Sequence, residues 1–441
     1  MMNKVYIETY GCQMNQADSE VVLSILGNEG YELTTDINEA DLILVNTCSI
    51  RDNAEQRVKS KLVEFEALKR KNSNLRVGVL GCMAERLKEE LFEQNKVVDL
   101  VVGPDGYRDI PSLLSEFHRG QRAFSVMLSD EETYSEIKPV RIETNGVSAF
   151  VSIMRGCENF CSYCVVPYTR GKERSRDYES ILNEVRDLFD KGYREVTLLG
   201  QNVNSYSYEK ENIKVDFSKL MEMVALISPL LRVRFSTSHP KDISENLIEV
   251  IAKYPNICKY IHLPIQSGSA NVLKRMNRKY TPEDYLFKID LIKKHIPNCA
   301  ISTDIIAGFC GESIEDHNQT LSIMRQVGYD YAFMFHYSER PNTLAAKKYS
   351  DDIPLKEKKR RLEEIITLQN ELSYNSNLND IEKEFEVLIE GESKRSKEKL
   401  FGRTSQNKVV IFDKDSNRIG DYVKVKITSC TSATLMGEKV N

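Results

Sequence analysis

The sequence predicts an α/β protein of three domains, and three observations support this fold class. Residues 1–145 alternate β-branched strand patterns with helical patterns, which is typical of a parallel α/β sheet. Residues 146–375 continue the alternation through six units, which indicates a partial (β/α)6 barrel of the TIM type. Residues 376–441 change to short alternating strands with Gly and Asp-Ser-Asn turns, which favours a small antiparallel β barrel.

The strands of the first domain are short apolar runs with helical patterns between them. The runs are VYIETY, DLILVN, LRVGVL and VVDLVVG, and the helical patterns lie around residues 18–28, 53–70, 84–93 and 108–118. Residues 119–145 lose this rhythm and carry SDEET and KPVRIETNG, so we expect a linker there.

The second domain has six strand candidates: AFVSIM, EVTLLG, RVRFST, YIHLPI, ISTDIIAG and YAFMFHYS. Helical patterns lie near residues 178–190, 217–228, 243–253, 268–294, 313–327 and 355–374. Because a full barrel has eight such units, we expect an opening on one side that suits a large substrate. The runs FEVLIEG, KVVIF and YVKVKIT form the third domain, and barrels of that kind often bind oligonucleotides.

The composition is that of a soluble globular protein. Of its 441 residues 41% are hydrophobic and 29% are charged, and no run approaches the roughly 18 apolar residues of a membrane span. The start enters a strand pattern at once and the ten cysteines are sparse, so we expect a cytoplasmic protein without disulfides or a membrane partner. The net charge of −5 argues against indiscriminate nucleic-acid binding but allows local basic surfaces.

The most informative motif is CENFCSYC, a C-x3-C-x2-C array that follows the first strand of the predicted barrel. The thiolates of Cys157, Cys161 and Cys164 can hold three irons of a [4Fe–4S] cluster. With no fourth cysteine nearby, the fourth iron would be open to a small molecule. Structural zinc is the alternative, although it usually takes four protein ligands in paired knuckles.

Three further cysteines occupy equivalent places in the first domain. Cys12, Cys48 and Cys82 each follow a predicted parallel strand. The carboxyl ends of neighbouring strands form one rim, where open α/β sheets bind ligands, so this pattern predicts a second three-thiolate site. Three independently buried cysteines are the alternative, since a free cysteine often packs as a small hydrophobic residue.

Beyond these patterns, the chain resembles the methylthiotransferase family of the radical S-adenosylmethionine superfamily. Seven motifs carry the resemblance in the family's order, over nearly the whole chain: YGCQMNQADSE, NTCSIRDNAEQR, LGCMAER, RGCENFCSYCVVPYTRGKERSR, LLGQNVNSY, LPIQSGSANVLKRMNRKYT and GFCGES. The C-terminal barrel resembles a TRAM domain. Two motifs depart from the family pattern: GFCGES carries Cys310 where Pro is more usual, and SERPNTLAA varies from the usual form.

The resemblance implies an enzyme with two [4Fe–4S] clusters. Residues 1–145 would be the methylthiotransferase domain, whose cysteines hold an auxiliary cluster carrying the transferred sulfur. Residues 146–375 would be the radical core, in which Cys157, Cys161 and Cys164 hold the cluster that binds S-adenosylmethionine. One S-adenosylmethionine would methylate the sulfur, and a second would give the 5′-deoxyadenosyl radical. Residues 376–441 would be the RNA-binding TRAM-like domain.

The resemblance also implies a substrate. CQMN, NTCSIR and PYTRGKERSR resemble the branch that adds a methylthio group to C2 of N6-isopentenyladenosine beside the tRNA anticodon. Two alternatives keep the chemistry and change the substrate, to threonylcarbamoyl-adenosine in tRNA or to a ribosomal-protein aspartate. An alternative of another class is a non-catalytic RNA-binding protein with structural metal.

Further residues receive roles from the resemblance. The predicted cofactor contacts are Tyr163, Gly200, Gln201, Gly308 and Glu312. Packing is the alternative role for Tyr163, and turn formation is the alternative for Gly308. The predicted phosphate contacts for tRNA are Arg170, Lys172, Arg174 and Arg176. The reaction also implies an external electron donor and a sulfur donor for the auxiliary cluster, and we expect a monomer because no heptad pattern demands a dimer.

Overall fold

A computed structural model describes residues 3–49, 52–116, 122–142 and 145–440. Ile50 and Arg51 of the NTCSIR motif lie outside the described residues, as do the end of the predicted helix 108–118 and parts of the predicted linker 119–145. No helix of the described part of the chain is both long and apolar enough to span a membrane.

The first domain is a parallel sheet with helices on both faces. Its strands are β1 (Asn3–Tyr10), β2 (Tyr31–Leu33), β3 (Leu42–Thr47), β4 (Arg76–Gly81), β5 (Leu100–Val102) and β6 (Ala123–Ser125), in the spatial order β2-β1-β3-β4-β5-β6. Its helices are α1 (Gln13–Asn28), α2 (Asp52–Lys71), α3 (Cys82–Leu87), α4 (Glu90–Gln94) and α5 (Ile110–Glu116). All of β3 is buried, because the two faces of the sheet pack into two separate apolar cores.

The strand β6 lies inside the segment that the sequence predicts to be a linker. It has only three residues and pairs with the edge of β5. A strand this short carries too little alternation to be recognised from its pattern.

The second domain contains strands β7 to β16 and helices α6 to α14. The strands are β7 (Ser148–Ser152), β8 (Met154–Arg155), β9 (Arg174–Ser175), β10 (Glu195–Leu199), β11 (Ser207–Lys210), β12 (Ile213–Asp216), β13 (Arg232–Ser236), β14 (Tyr260–His262), β15 (Ala300–Ala307) and β16 (Tyr331–His336). The helices are α6 (Val166–Arg170), α7 (Tyr178–Asp190), α8 (Phe217–Ala225), α9 (Glu245–Lys253), α10 (Ala270–Arg275), α11 (Pro282–His295), α12 (Ile314–Val327), α13 (Leu344–Lys348) and α14 (Leu355–Leu378).

Six of these strands form the barrel wall. The strands β7, β10 and β13 pair in parallel, as do β14, β15 and β16, and a parallel bridge between Val233 and Ile257 connects the two halves. Among the described residues β16 and β7 do not pair, so the wall is open there. The prediction of an α/β fold with a partial barrel is confirmed.

The prediction of one helix over residues 268–294 is wrong, because α10 and α11 are separate. Asn277 has a left-handed backbone with φ of 56°, which a continuing helix does not accept. A new helix then begins at Thr281, whose side chain forms a capping box with Asp284, and Pro282 takes the first turn.

The third domain is a closed barrel. Its strands are β17 (Glu384–Ser393), β18 (Ser396–Arg403), β19 (Val409–Asp413), β20 (Tyr422–Cys430) and β21 (Leu435–Lys439). The predicted antiparallel pairing holds except between β19 and β21, which are parallel. The helix α14 continues to Leu378, and the division of the chain at 145 and 375 stays a prediction.

Candidate cluster sites

The cysteines of the CENFCSYC array lie together in the loop between β8 and α6. Burial raises the pKa of the Cys164 thiol, and the charges of the neighbouring Cys161 and Cys157 add to the increase. Burial raises the pKa of the Cys157 thiol to about 11, and the charge of Cys161 adds to the increase. Arg278 donates a hydrogen bond from Nη1 to Sγ of Cys161 at 3.2 Å, which places a buried cation beside these thiols.

The start of this loop is fixed by Gly156. Its φ of 79° is left-handed, and a Cβ atom there would lie 1.8 Å from the carbonyl oxygen of Lys172, so only glycine fits. The amide of Gly156 donates to Oε1 of Gln201 at 2.6 Å. Gln201, a predicted cofactor contact, therefore ties the loop to the end of β10.

The other predicted cofactor contacts lie around the carboxyl ends of the barrel strands. Tyr163 packs against an apolar cluster that includes Phe309 and Tyr337. Gly200 lies where a Cβ atom would come within 2.4 Å of Cγ of Met154. Glu312 is buried, receives a hydrogen bond from the amide of Gly308 at 3.0 Å and pairs with Arg361 at 2.8 Å. Their contacts with a cofactor stay predictions.

The three cysteines of the first domain come from three strand ends. Cys12 precedes α1, Cys48 follows β3 and Cys82 begins α3. A hydrogen bond with Cys48 lowers the pKa of the Cys12 thiol to about 6, although burial works against it. A Cβ atom at Gly11, whose φ is 123°, would lie 2.3 Å from Cβ of Cys48, so glycine permits this close approach.

A buried ion-pair group connects the two sets of cysteines. Asp18 of α1 pairs with Arg155 of β8 and, at 2.7 Å, with Nη2 of Arg170 at the end of α6. Nε of Arg170 donates to Sγ of Cys82 at 3.3 Å, and its Nη1 is buried without a hydrogen-bond partner. Burial raises the pKa of Asp18, but Arg155 and Arg170 outweigh it and lower that pKa.

The interpretation of three arginines as phosphate contacts is wrong. Arg170, Arg174 and Arg176 are at most 6% exposed. Arg174 donates hydrogen bonds to both carboxylate oxygens of Asp105, at 2.8 and 3.0 Å, and Arg176 forms an ion pair with Glu184. These side chains point inward because buried carboxylates receive them, and a buried charge needs such a partner.

Lys172, the fourth predicted phosphate contact, is different. Its side chain is 68% exposed and pairs with the exposed Asp130 at 3.4 Å. Its contact with tRNA stays a prediction.

Sequence reasoning missed the roles of four charged residues whose side chains are buried: Asp18, Asp105, Arg155 and Arg278. Asp18 lies in the YGCQMNQADSE motif and Arg155 directly precedes CENFCSYC, so both carried a positional signal. No rule of sequence spacing predicts that Asp18 and Arg155 pair, because the two residues come from different domains.

The arrangement of the thiols bears on which metal group they can hold. All ten cysteines are free, and in the described ranges no three His, Cys, Asp or Glu side chains converge closely enough to hold one metal ion. A [4Fe–4S] cluster has a different requirement, because each thiolate binds a different iron, so the thiols need not meet at one point. Two sets of three neighbouring thiols, each beside a buried arginine, fit such clusters.

Family models match three parts of the chain. Residues 4–103 match the uncharacterized protein family UPF0004, residues 151–323 match the radical SAM superfamily and residues 381–440 match the TRAM domain. The radical S-adenosylmethionine methyltransferase TsrM from Kitasatospora setae, solved with cobalamin and a [4Fe-4S] cluster, superimposes with a TM-score of 0.59 at 15% identity, over 78% of this chain and 77% of that one. The fold and the array therefore define a radical S-adenosylmethionine enzyme.

Relatives that match over nearly their whole length identify the family within this class of enzymes. A protein of Parabacteroides distasonis named tRNA-2-methylthio-N(6)-dimethylallyladenosine synthase is 60% identical over 99% of this chain and 95% of its own length. A protein of the same name from Phocaeicola vulgatus is 59% identical over 99% of this chain and 96% of its own length. The chain belongs to the family of tRNA-2-methylthio-N(6)-dimethylallyladenosine synthases.

Proposed function

We propose that this protein adds a methylthio group to C2 of N6-dimethylallyladenosine, also called N6-isopentenyladenosine, in the tRNA anticodon loop. The observation that carries the proposal is the pair of three-thiol sets, one from each of two adjacent domains, connected by Arg170. The identity of 60% to a full-length relative with that activity in its name supports the substrate.

The C2–H bond of adenine is too weakly acidic for a side-chain base to remove its proton, so cofactors must supply the difficult step. A [4Fe–4S] cluster with S-adenosylmethionine belongs to the radical core. We further propose a second [4Fe–4S] cluster at Cys12, Cys48 and Cys82. When bound, these groups supply the radical that removes the C2 hydrogen and the methylthio sulfur that replaces it.

The chain itself contributes position and charge. Gly156 and Gln201 fix the loop that carries Cys157, and Gly11 lets Cys12 approach Cys48. Arg170 and Arg278 place buried positive charge beside the two thiol sets, which offsets the negative charge of the thiolates.

The tRNA is the proposed macromolecular substrate. A base that reacts in a buried site must leave its stack, and unpaired loop nucleotides are the easiest to extrude. The reaction consumes electrons and sulfur, so we propose an external electron donor and a sulfur donor as partners. We also propose that the protein works as a monomer in the cytoplasm, where its tRNA substrate is available.

The decisive experiment is mass spectrometry of tRNA nucleosides. The protein is reconstituted with iron and sulfide, then incubated with S-adenosylmethionine, a reductant and tRNA that carries N6-isopentenyladenosine. We expect a methylthio group on that nucleoside, and none with Cys157→Ala. Modification of threonylcarbamoyl-adenosine instead would select the alternative substrate, and no product from protein that holds both clusters would contradict the proposal.

A further inference from the structure

Phe160 and Tyr168 form an exposed aromatic pair beside the radical-site cysteines. Phe160 lies between Cys157 and Cys161 in the loop, and Tyr168 lies on α6 shortly after Cys164. Their ring centroids are 6.3 Å apart in an edge-to-face arrangement, and the residues are 43% and 38% exposed. Two large aromatic residues thus face solvent next to the radical-site cysteines.

The loop holds the backbone of Phe160 in a defined conformation. Its φ of 48° is left-handed, which is rare for a bulky residue and persists only where surrounding contacts impose it. Nδ2 of Asn277 donates to the carbonyl oxygen of Phe160 at 2.8 Å and provides such a contact. A residue whose backbone is already ordered in this way loses less conformational freedom when it binds a ligand.

Positive charge flanks the pair on both sides. Nζ of Lys347 lies 5.9 Å from the ring centroid of Tyr168. Nζ of Lys279 donates to Oδ1 of Asn277 at 2.9 Å, so it lies beside the residue that holds Phe160. Both lysines are exposed, and neither forms an ion pair within the part of the chain that the structure describes. Their charges are therefore available to an anionic partner.

We propose that an unpaired base of the tRNA loop, next to the target nucleotide, stacks on the face of one ring of this pair and contacts the edge of the other, while Lys347 and Lys279 contact the adjacent phosphates. Aromatic stacking with positive charge on either side is the usual way in which proteins bind single-stranded nucleic acid. The proposal rests on the proposed function and identifies where its substrate binds. It also supplies cations for the phosphates, which Arg170, Arg174 and Arg176 do not because they are buried.

The test uses a fluorescent anticodon stem-loop RNA that carries N6-isopentenyladenosine beside the anticodon. Its dissociation constant is measured by anisotropy with reconstituted protein at fixed salt. We expect about tenfold weaker binding for Phe160→Ala and for Tyr168→Ala, and near wild-type binding for Phe160→Trp and Tyr168→Phe, which keep a stacking ring. Phe287→Ala is the matched control, because Phe287 is 65% exposed on α11 and forms no such pair with another ring that the structure describes.

The proposed lysine contacts have a separate test, which is the dependence of RNA binding on salt concentration. Lys347→Ala should reduce the slope of the logarithm of the association constant against the logarithm of salt concentration by about one, as expected for one lost phosphate contact. If Phe160→Ala loses iron because it lies between two cysteines, Tyr168→Ala and Lys347→Ala still provide the test.

Two kinds of failure can be told apart. If the wild-type protein neither binds nor methylthiolates this RNA, the proposed function fails and the stacking proposal fails with it. If the wild-type protein binds and modifies the RNA while Phe160→Ala and Tyr168→Ala, with unchanged iron content, bind it equally well, only the stacking proposal is overturned.

Discussion

Arg170 donates a hydrogen bond from Nε to the sulfur of Cys82 at 3.3 Å. It ends the helix α6, which begins shortly after Cys164, so one side chain extends from the radical-site loop to the second set of thiols. A guanidinium stays charged even when it is buried, and this one also pairs with Asp18 at 2.7 Å. The position of the two cysteine sets relative to each other therefore depends on a buried ion pair between domains.

The first prediction concerns Arg170→Met. The change leaves the buried Asp18 with Arg155 as its remaining cation, and breaking a buried ion pair typically costs about 3–5 kcal/mol. We expect the free energy of unfolding of the cluster-free protein, measured in urea, to fall by about 3 kcal/mol. Lys172→Met is the control, because exposed ion pairs contribute about 1 kcal/mol or less. Equal losses in the two variants would contradict this role of Arg170.

The second prediction concerns the pair of Arg174 and Asp105. Arg174→Glu would place two carboxylates together in a position where both side chains are buried. We expect a loss of about 4 kcal/mol or more in the free energy of unfolding, with partial recovery in the double variant Asp105→Arg/Arg174→Glu. Urea denaturation measures both. An Arg174→Glu protein that is as stable as wild type but binds tRNA more weakly would restore the interpretation as a phosphate contact.

The sequence was sufficient to predict those parts of the fold and site that depend on local patterns. The apolar run DLILVN predicted β3, and the placement of Cys48 after it followed from the end of that strand. The pairs of Asp18 with Arg170 and of Asp105 with Arg174 could not be predicted, since they join residues from different domains. Charged residues also carry no periodicity that distinguishes an inward from an outward position, so the arginines of RGKERSR were interpreted as phosphate contacts.

The third prediction is a count of iron. Each set of three thiolates is proposed to hold one [4Fe–4S] cluster, so reconstituted wild-type protein should contain about eight irons per chain. Replacing one cysteine of either set by alanine should leave about four, as measured by colorimetric iron analysis. The cysteines to be replaced are Cys12, Cys48, Cys82, Cys157, Cys161 and Cys164.

Cys310→Ala is the matched control for this count. Cys310 is buried in an apolar cluster with Phe309 and Val272, so its replacement should leave about eight irons. A wild-type content of about four would contradict the proposed second cluster, and zinc in place of iron would contradict both.

The last prediction concerns His239 and the dependence of stability on pH. Burial lowers the pKa of His239 to about 2, and the charges of Arg278 and Lys241 add to the effect. Nδ1 of this histidine also accepts a hydrogen bond from the amide of Lys241, at 3.3 Å, which a protonated nitrogen cannot do. The imidazole therefore stays neutral in the folded protein at physiological pH.

The sign of the effect follows from proton uptake by the unfolded chain. An unfolded histidine has a pKa of about 6.5, so below that pH the unfolded state binds a proton that folded His239 does not. The contribution of the neutral His239 to the free energy of unfolding is present above pH 6.5 and decreases by about 1.4 kcal/mol for each pH unit below it. In His239→Gln the free energy of unfolding of the cluster-free protein should therefore fall by about 1.4 kcal/mol less than in wild type between pH 7.5 and 5.5. Parallel pH curves for the two proteins, from urea denaturation, would contradict the assignment of a neutral buried imidazole.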